Sequence, residues 1–543
     1  MSRPATGTLT DASHQQNKRP PSDRGRPLGC VEPAATGYPK DVPNDGLPSI
    51  WLDPPPALET DWFKPGAHYD DVVVGAGLTG LVTATLLARA GRQVALLEAR
   101  SVGAVTTGHS TAKVTLLQGT RLSTIVANHT EHVAAAYVDG NREAQEWLLA
   151  YCDKQGIQIE RRDAYTYAGT QSGAAAVRRE FDIGRRLDLD LEMTDAIELP
   201  YPTYAAVCLR DQLQFNPVDV LSALVRELRQ AGGVVIDGVR VIKVNPGESS
   251  EVITSAGGVI GNNVVLATGI PFLDRGLYFT KVTAQRSYAL AFRVAGQIPR
   301  GMYISADSPT RSLRTAMRNG EELLLVGGNG HAVGRQRESP SELVADLTAW
   351  TDMWFTGVER THVWSAQDYE AHGGVPFVGK LPRGGGHVYL ATGYSKWGMT
   401  NAVAAGLRIS GEILDQVPQW ARILGTRVSK PASAVRYFRA NAEMGLAATK
   451  GWLGAELHPL KEQHRTPAEG TGVVGAQRGE PVAISTVNGK TCELSAVCTH
   501  LGGIVRFNDL EKSWDCPLHG SRFAADGTVL EGPATSDLKQ RPA

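Results

Sequence analysis

Apolar residues in this chain recur with two different periods, and the places where the period changes mark its elements. From His68 the stretch HYDDVVVGAG is a short β-branched run that ends in glycines, and LTGLVTATLLARAG after it has apolar residues at helical spacing and stops at a glycine. QVALLEAR, residues 93–100, then reads as a second strand. Strand, glycine turn, helix and strand within about thirty residues form a βαβ unit, which implies a parallel sheet. Further strands of the same layer are predicted at GVVIDGVRVIKV and NVVLATG, and again at HVYLATGY, which leads into the helix-like MTNAVAAGLRISGEIL. Between them lie the helix candidates EHVAAAYVDGNREAQEWLLAYCDKQG and SPSELVADLTAWTDMWF and the antiparallel strand candidates RSYALAFRV and ELLLVGG, the pattern of an inserted second lobe.

The two ends of the chain break this rhythm. Residues 1–66 are rich in Pro, Gly, Asp, Ser and Arg without apolar periodicity, and are expected to form a disordered or extended arm. Beyond about residue 425 an Ala-rich helix candidate leads into KEQHRTPAEGTG, a linker composition. PVAISTVNGKTCELSAV then alternates apolar residues around Asn488-Gly489, the strongest short hairpin signal. The expected organisation is therefore the arm, an α/β unit over 67–425 with a lobe inserted at about 151–205 and 275–365, a helical linker over 426–469, and a small all-β domain over 470–543.

Length agrees with several units, since 543 residues exceed what one core supports. With 20% charged residues, 42% apolar residues and a formal net charge of -1, the composition is that of an ordinary globular protein and favours no nucleic-acid partner. No run approaches the roughly eighteen apolar residues of a membrane span, and the first residues lack a signal-peptide core, so a cytoplasmic protein without a membrane span is expected. The six cysteines, Cys30, Cys152, Cys208, Cys492, Cys498 and Cys516, are too few and scattered for a disulfide framework. Only the last two have a spacing that argues chemistry.

Gly75, Gly77 and Gly80 form G-x-G-x-x-G between a strand and a helix, with Glu98 at the end of the next strand, about twenty residues on. The first glycine permits the tight turn, the second lets backbone approach a pyrophosphate and the third allows close helix–strand packing. Together with Ala76, Leu78 and Thr79 in the turn, and Ala99 and Arg100 beside Glu98, they form a candidate dinucleotide site. The motif alone does not separate NAD from FAD. GGNGHAVG, residues 327–334, follows an apolar run but lacks a second acidic-ended strand, so it reads as a hairpin loop of the inserted lobe.

The fingerprint, the following SVGAVTTGHSTAKVT, the central VVLATG and the late GGVPFVG with VYLATGYSKWGMT together resemble the glycine oxidase and D-amino-acid oxidase type of FAD oxidoreductase over about residues 68–420. That resemblance implies an α/β Rossmann-type FAD-binding domain with an inserted α+β substrate lobe. It implies that the loop Thr106, Gly108, His109, Ser110, Thr111 and Ala112 wraps the pyrophosphate and flavin, that backbone near Val241 contacts adenine, and that Gly269, Gly379, Gly393, Gly398, Met399 and Thr400 line the flavin. TTGH, ending at His109, is similar to the TTWH by which some dimethylglycine and sarcosine dehydrogenases attach FAD covalently; Gly108 replaces the Trp, and a noncovalent phosphate or flavin contact is the alternative. Tyr369, Tyr394, Lys396 and Trp397 are the candidates to face substrate. The arginine that amino-acid oxidases place before GGxPxxG to hold a carboxylate is missing, since Gln367, Asp368 and Tyr369 stand there. His129 and His132, three apart on a predicted helix, read as a solvated face.

Cys498-x-His500 and Cys516-x-x-His519 resemble the Rieske pattern, in which two thiolates hold one iron of a [2Fe-2S] cluster and two imidazoles the other. Replacing two anionic ligands by imidazoles raises the potential to somewhere in about -150 to +300 mV. A tetrahedral zinc site is the alternative, although zinc fingers usually place their cysteines together and their histidines together. Ser521 is similar to the serine that donates to a cluster sulfur in higher-potential Rieske domains, whereas Phe523 replaces their tyrosine and Gly503 and Leu518 replace their disulfide pair. The whole is similar to bacterial fusions of a glycine-oxidase-like flavoprotein with a Rieske domain. It implies an oxidoreductase that takes a hydride from beside a C–N bond of a small amine or amino acid and exports electrons singly through the cluster to a protein or quinone acceptor. An NAD(P)H- or protein-linked flavin/Rieske reductase and a non-enzymatic redox-sensing flavoprotein are the alternatives. A Rieske oxygenase would need a two-His, one-carboxylate iron site, and none is visible.

Overall fold

The computed structural model describes residues 47–431, 433–460 and 466–541. Its central strand, His68–Val74, pairs in parallel with Gly257–Leu266 on one side and Val94–Leu97 on the other. Val72 and Val73 are fully buried, because a central parallel strand is covered on both faces and so reads as a continuous apolar run. Eight strands make up this sheet, which ends at Val234–Ile236 on one edge and, through Val388–Thr392, at the antiparallel Phe377–Lys380 on the other. Helices Leu78–Arg89 and Gly398–Ile413 cross closely on one face. A Cβ at Gly406 would lie 2.7 Å from Val82 Cγ1, so the glycine sets their separation.

A second, nine-stranded sheet forms the other lobe. Val282–Val294 lies between Val358–Ala371 and Glu321–Ala332, and the sheet continues through Arg311–Arg318 and Met302–Ser305 to Ile159–Ala168 and Ala205–Phe215. Its helix Pro340–Trp354 starts on a capping box: Ser339 Oγ accepts from Glu342 N (3.2 Å) and the Glu342 carboxylate accepts from Ser339 N (2.7 Å).

Two expectations need correction here. Glycines 327, 328 and 330 do not form a hairpin loop: they continue the strand Glu321–Ala332, with Gly327 and Gly328 paired to neighbours on both sides. Strand periodicity is invisible there because the residues that would show it have no side chains. Residues 47–66 are not disordered either, for Ile50 and Trp51 are buried among Ala289, Leu325 and Trp364, where an otherwise polar segment gains apolar contact. The rest of the expected arm, 1–46, lies outside the described residues.

The C-terminal part begins with the 25-residue helix Ser433–Leu457 and continues as two small antiparallel sheets, one of three strands and one of four. Strands Glu480–Val487 and Lys490–Ser495 meet at Asn488 and Gly489, both at positive φ (53° and 72°), as the preferred two-residue hairpin turn requires. Among the described residues Cys152, Cys208, Cys498 and Cys516 are free thiols, and no helix is long and apolar enough to cross a membrane.

Candidate functional site

The Cys-His sequences of the C-terminal domain form two loops of the same shape. Cys498 N donates to Gly503 O and Cys516 N to Ser521 O, both at 2.8 Å, while Gly502 N returns to Cys498 O and Gly520 N to Cys516 O, both at 3.1 Å. Gly502 and Gly520 supply the positive φ that turns each loop. The loops bring thiol to thiol and imidazole to imidazole: the two sulfurs share a hydrogen bond, and the His500 and His519 rings lie 5.0 Å apart. Among the described residues no three such side chains converge on one point. Paired thiols and paired imidazoles suit the two irons of a [2Fe-2S] cluster, one held through sulfur and the other through nitrogen.

The electrostatics fit the cluster as well. The Cys498 sulfur accepts from the Cys516 thiol, from the backbone N–H groups of His500 and Leu501 and from Ser521, and these donors push it down to about 7. Burial, with the nearby His500 and Arg335, lowers His519 to about 3 and keeps it neutral, as an imidazole ligand must be. Among the described residues His500 Nδ1 and both His519 ring nitrogens are buried and find no hydrogen-bond partner. Gly503 and Leu518, which replace the braced cysteines of other Rieske domains, touch: a Cβ on Gly503 would lie 2.7 Å from Leu518 Cγ. Replacing Ser521 by alanine removes one donor to Cys498 and is expected to lower the midpoint potential while the cluster's EPR signal persists. An unchanged potential in a redox titration would refute that role.

The glycine fingerprint opens on a cavity of about 340 Å³. Gly75 (φ 105°) turns against Ala267, whose carbonyl oxygen would lie 2.6 Å from an added Cβ, and Gly80 packs on Gly75 still more closely. At Gly77 an added Cβ would meet, among the described residues, only Thr107 Oγ1, at 3.2 Å, and the glycine lines the cavity. The N-cap of the helix that starts at Leu78 is Gly77, which has no side chain to cap it; Thr107 Oγ1 accepts from Leu78 N at 3.2 Å, and the other backbone N–H groups of the first turn are left as donors for an anionic pyrophosphate. Glu98 accepts from Ala76 N and Arg100 N, both at 2.8 Å, and this fixes the turn against the second strand. These features fit FAD.

Most of the expected cofactor residues line the cavity. Gly75, Gly77, Leu78 and Thr79 do so in the turn, and Glu98, Ala99 and Arg100 at the second strand. Thr106, His109, Ser110 and Thr111 line it from the wrapping loop, Val241 and Gly269 from one side, and Gly393, Gly398 and Met399 from the late segment. Six do not line it. Ala76 and Gly80 serve the turn itself, Gly108 packs on Gly103 and Leu52, and the Ala112 carbonyl accepts from Arg314 Nη1 at 3.0 Å. Gly379 lies against Arg408 and Glu412, and Thr400 points away to Gln118 (3.1 Å), because strand and helix periodicity turn neighbouring side chains outward. His129 is buried beside Val428 and is not part of a solvated face.

The wrapping loop is held by residues that sequence inspection missed. Ser49 donates to Gly108 O at 2.5 Å, Trp51 Nε1 to Ser110 O at 2.7 Å and Trp364 Nε1 to His109 O at 2.8 Å. The one available signal was SIWL, an apolar patch inside a polar arm. His109 hydrogen-bonds Val105 O through Nδ1, and burial lowers its pKa, so it faces the cavity as a neutral ring.

All four substrate candidates, Tyr369, Tyr394, Lys396 and Trp397, line the same cavity. Tyr394 shares a 2.7 Å hydrogen bond with Thr79, and the Lys396 backbone N–H donates to Asp368. Lys396 is exposed and lines the cavity beside Gly330, where a Cβ would come 2.1 Å from Nζ. Lys113, a second cation lining the cavity, donates to Tyr303 O (2.7 Å) and Ser312 Oγ (2.6 Å). Desolvation lowers both lysines and raises Asp368.

The C-terminal domain touches the same cavity. Thr106 Oγ1 donates to Gln367 O (2.5 Å), and Gln367 Nε2 donates to Gly520 O (2.7 Å), the residue after His519. Tyr369 OH reaches Gly532 O at 3.4 Å, and Leu530, Glu531, Gly532, Ala534 and Thr535 line part of the cavity. On the imidazole side Asp274 lies 3.2 Å from His500 Nε2, and the Phe279 ring lies edge-on to His519 at 5.1 Å.

Comparison with known proteins agrees with both halves. Residues 70–410 match the family described as DAO, FAD dependent oxidoreductase, and residues 458–542 match the Rieske [2Fe-2S] domain. The Bacillus subtilis protein YhfW, described as a Rieske 2Fe-2S iron-sulfur protein, is 30% identical over 499 residues, which cover 89% of this chain and 94% of that one. The cytochrome b6-f complex iron-sulfur subunit of Synechococcus sp. (strain JA-3-3Ab) is 45% identical over 64 residues, 11% of this chain and 37% of the subunit. Among solved structures, glycine oxidase from Geobacillus kaustophilus superposes with a TM-score of 0.54 at 16% identity, covering 65% of this chain and 96% of that one. L-proline dehydrogenase from P. horikoshii gives 0.55 at 15%, covering 66% and 96%. At such identities these two structures establish the fold alone.

Proposed function

For a chain that belongs to the DAO family of FAD-dependent oxidoreductases and ends in a Rieske [2Fe-2S] domain, we propose oxidation of a C–N bond in a small amine or amino acid, with the electrons leaving singly through the cluster. The observation that carries this reading is the hydrogen-bonded route from Thr106 in the cavity through Gln367 to Gly520, beside the ligand His519. When bound, FAD supplies a two-electron acceptor for hydride and the cluster a one-electron carrier. The substrate loses a hydride from carbon and a proton from nitrogen, and water hydrolyses the resulting imine.

The chain's own residues bind and orient. Gly75, Gly77 and the N-terminus of the helix after them would hold the pyrophosphate, the loop Thr106–Thr111 would wrap it, and Cys498, His500, Cys516 and His519 would hold the cluster. The cavity lining carries Arg100, Lys113, Arg240 and Lys396 against Glu98, Asp368 and Glu531, four basic groups to three acidic ones. That balance favours a substrate that carries a carboxylate, and Lys396 takes over the anchoring that the missing arginine performs in amino-acid oxidases. Asp368, raised by burial, is placed to hold or accept the proton of the substrate amine. The electron acceptor beyond the cluster is a protein or a quinone.

Anaerobic mixing with a panel of amines, amino acids and NAD(P)H tests the reading. Bleaching of the flavin by an amino acid, followed by the reduced-cluster EPR signal, is expected; reduction by NADPH alone would overturn it. Lys396→Met should raise KM for a carboxylate-bearing substrate far more than for the matching carboxylate-free amine, since it removes a charge-assisted contact. Because desolvation lowers the Lys396 pKa, carboxylate binding should weaken as pH rises through that lowered value, where the ammonium loses its proton.

A further inference from the structure

We propose that the FAD site is composite: the Rieske domain supplies one wall of it, and FAD is retained only while that domain is docked. Leu530, Gly532 and Ala534 line the cavity from the Rieske side together with Gly269 and Tyr369 of the flavin half, and Tyr369 OH reaches Gly532 O at 3.4 Å. Arg240, whose two sequence neighbours also line the cavity, donates from the flavin half to Val529 O at 2.9 Å and holds this wall in place. A ligand that fills the cavity is thus covered by residues from two domains.

What fastens the wall is a buried charge cluster. Arg286, with its side chain 2% exposed, pairs across the boundary with Glu511 and lies 3.7 Å from Asp515. Ser365 Oγ and Gln367 Oε1 accept from the same guanidinium at 2.9 and 3.0 Å. Within the Rieske domain Arg522 binds Glu511 (3.1 Å), Asp515 (3.3 Å) and Glu531. Burial alone would raise Glu511, but Arg286 and Arg522 hold it at about 2. The Rieske face therefore brings three carboxylates and one guanidinium. Arg286 and Arg100, the latter itself a cavity residue that senses Glu531 and Glu511, supply the two positive charges that balance them. Removing one partner of such a buried set leaves an uncompensated charge, so the docked position is specified sharply. The backbone adds to this: Arg335 Nε donates to Pro517 O at 2.7 Å, and Arg506 Nη1 to Gly334 O at 3.0 Å.

The proposal deepens the oxidoreductase reading by assigning a second domain to its cofactor site, but its test needs no turnover. In the full-length holoprotein, FAD release is followed by the rise in flavin fluorescence on dilution, with the Rieske absorption and EPR signals recorded in parallel. Arg286→Met should accelerate release at least tenfold while the cluster signals stay unchanged. Leu530→Ala, which leaves the charges intact, should do the same to a smaller degree. Linkage requires the reciprocal effect, so adding FAD to the stripped protein should slow proteolytic separation of the two domains. Unchanged release in both variants, or equal cleavage with and without FAD, would overturn the composite site. Failure of every amine to bleach the flavin would instead overturn the oxidoreductase reading and leave the composite site standing.

Discussion

Cys516→Ser should abolish the visible and EPR signatures of the cluster and the delivery of electrons to a one-electron carrier such as cytochrome c, while substrate still bleaches the flavin. Cys516 is buried, and its loop is tied through Ser521 O and Gly520 N, so a serine will occupy the same place with little disturbance. What changes is the donor. A hydroxyl is a harder and far less acidic ligand than a thiol, and with one of four ligands gone the iron held by two thiolates loses its site. Iron content, FAD content and carrier reduction measured on one preparation separate the outcomes. Carrier reduction at the wild-type rate without the cluster would show that electrons leave directly from the flavin.

Gly80→Ala should yield protein largely without FAD and with a melting temperature lower by several degrees. An added Cβ would lie 1.9 Å from the Gly75 carbonyl oxygen, and that atom is backbone and cannot rotate away. Gly75 itself is anchored by donation to Leu97 O at 2.8 Å, so the helix must move instead. Overpacking of this kind costs about 1–3 kcal/mol, and the displacement carries the helix N-terminus off the pyrophosphate position. Gly445→Ala is the control: it lies in the helix Ser433–Leu457 with nothing within 4 Å of its added Cβ, and should be neutral or stabilising by about 0.5–1 kcal/mol. Full FAD occupancy in Gly80→Ala would mean that the third glycine does not set the turn.

The two predictions rest on parts that local sequence describes well. Cys498, His500, Cys516 and His519 sit in two tight loops whose shape is set within six residues by Gly502 and Gly520, so spacing alone points to the paired loops. Gly75, Gly77, Gly80 and Glu98 are legible for the same reason, as a strand, turn, helix and strand contiguous in the chain. Gly379 and Thr400 were misplaced because a motif names a segment, while the face a residue presents follows from its phase in the strand or helix. Lys113 drew no notice, since nothing around it in the chain indicates a cavity; the strand Arg311–Arg318 brings Ser312 to its ammonium.

By itself, the sequence determined what depends on neighbours in the chain: the βαβ unit, its glycine turn, the hairpin at Asn488-Gly489, and two Cys-His loops of one shape. Tertiary structure alone decided what depends on residues far apart. It set Ser49 and Trp51 under the wrapping loop, turned the glycines of 327–330 into a cavity-lining strand, and closed the cavity with residues 530–535 of another domain. The reason is physical. A turn or a ligand loop is selected by backbone sterics and hydrogen bonds over a few residues, whereas the Arg286 pairing with Glu511 is a contact between chain positions 225 residues apart, which no local pattern encodes.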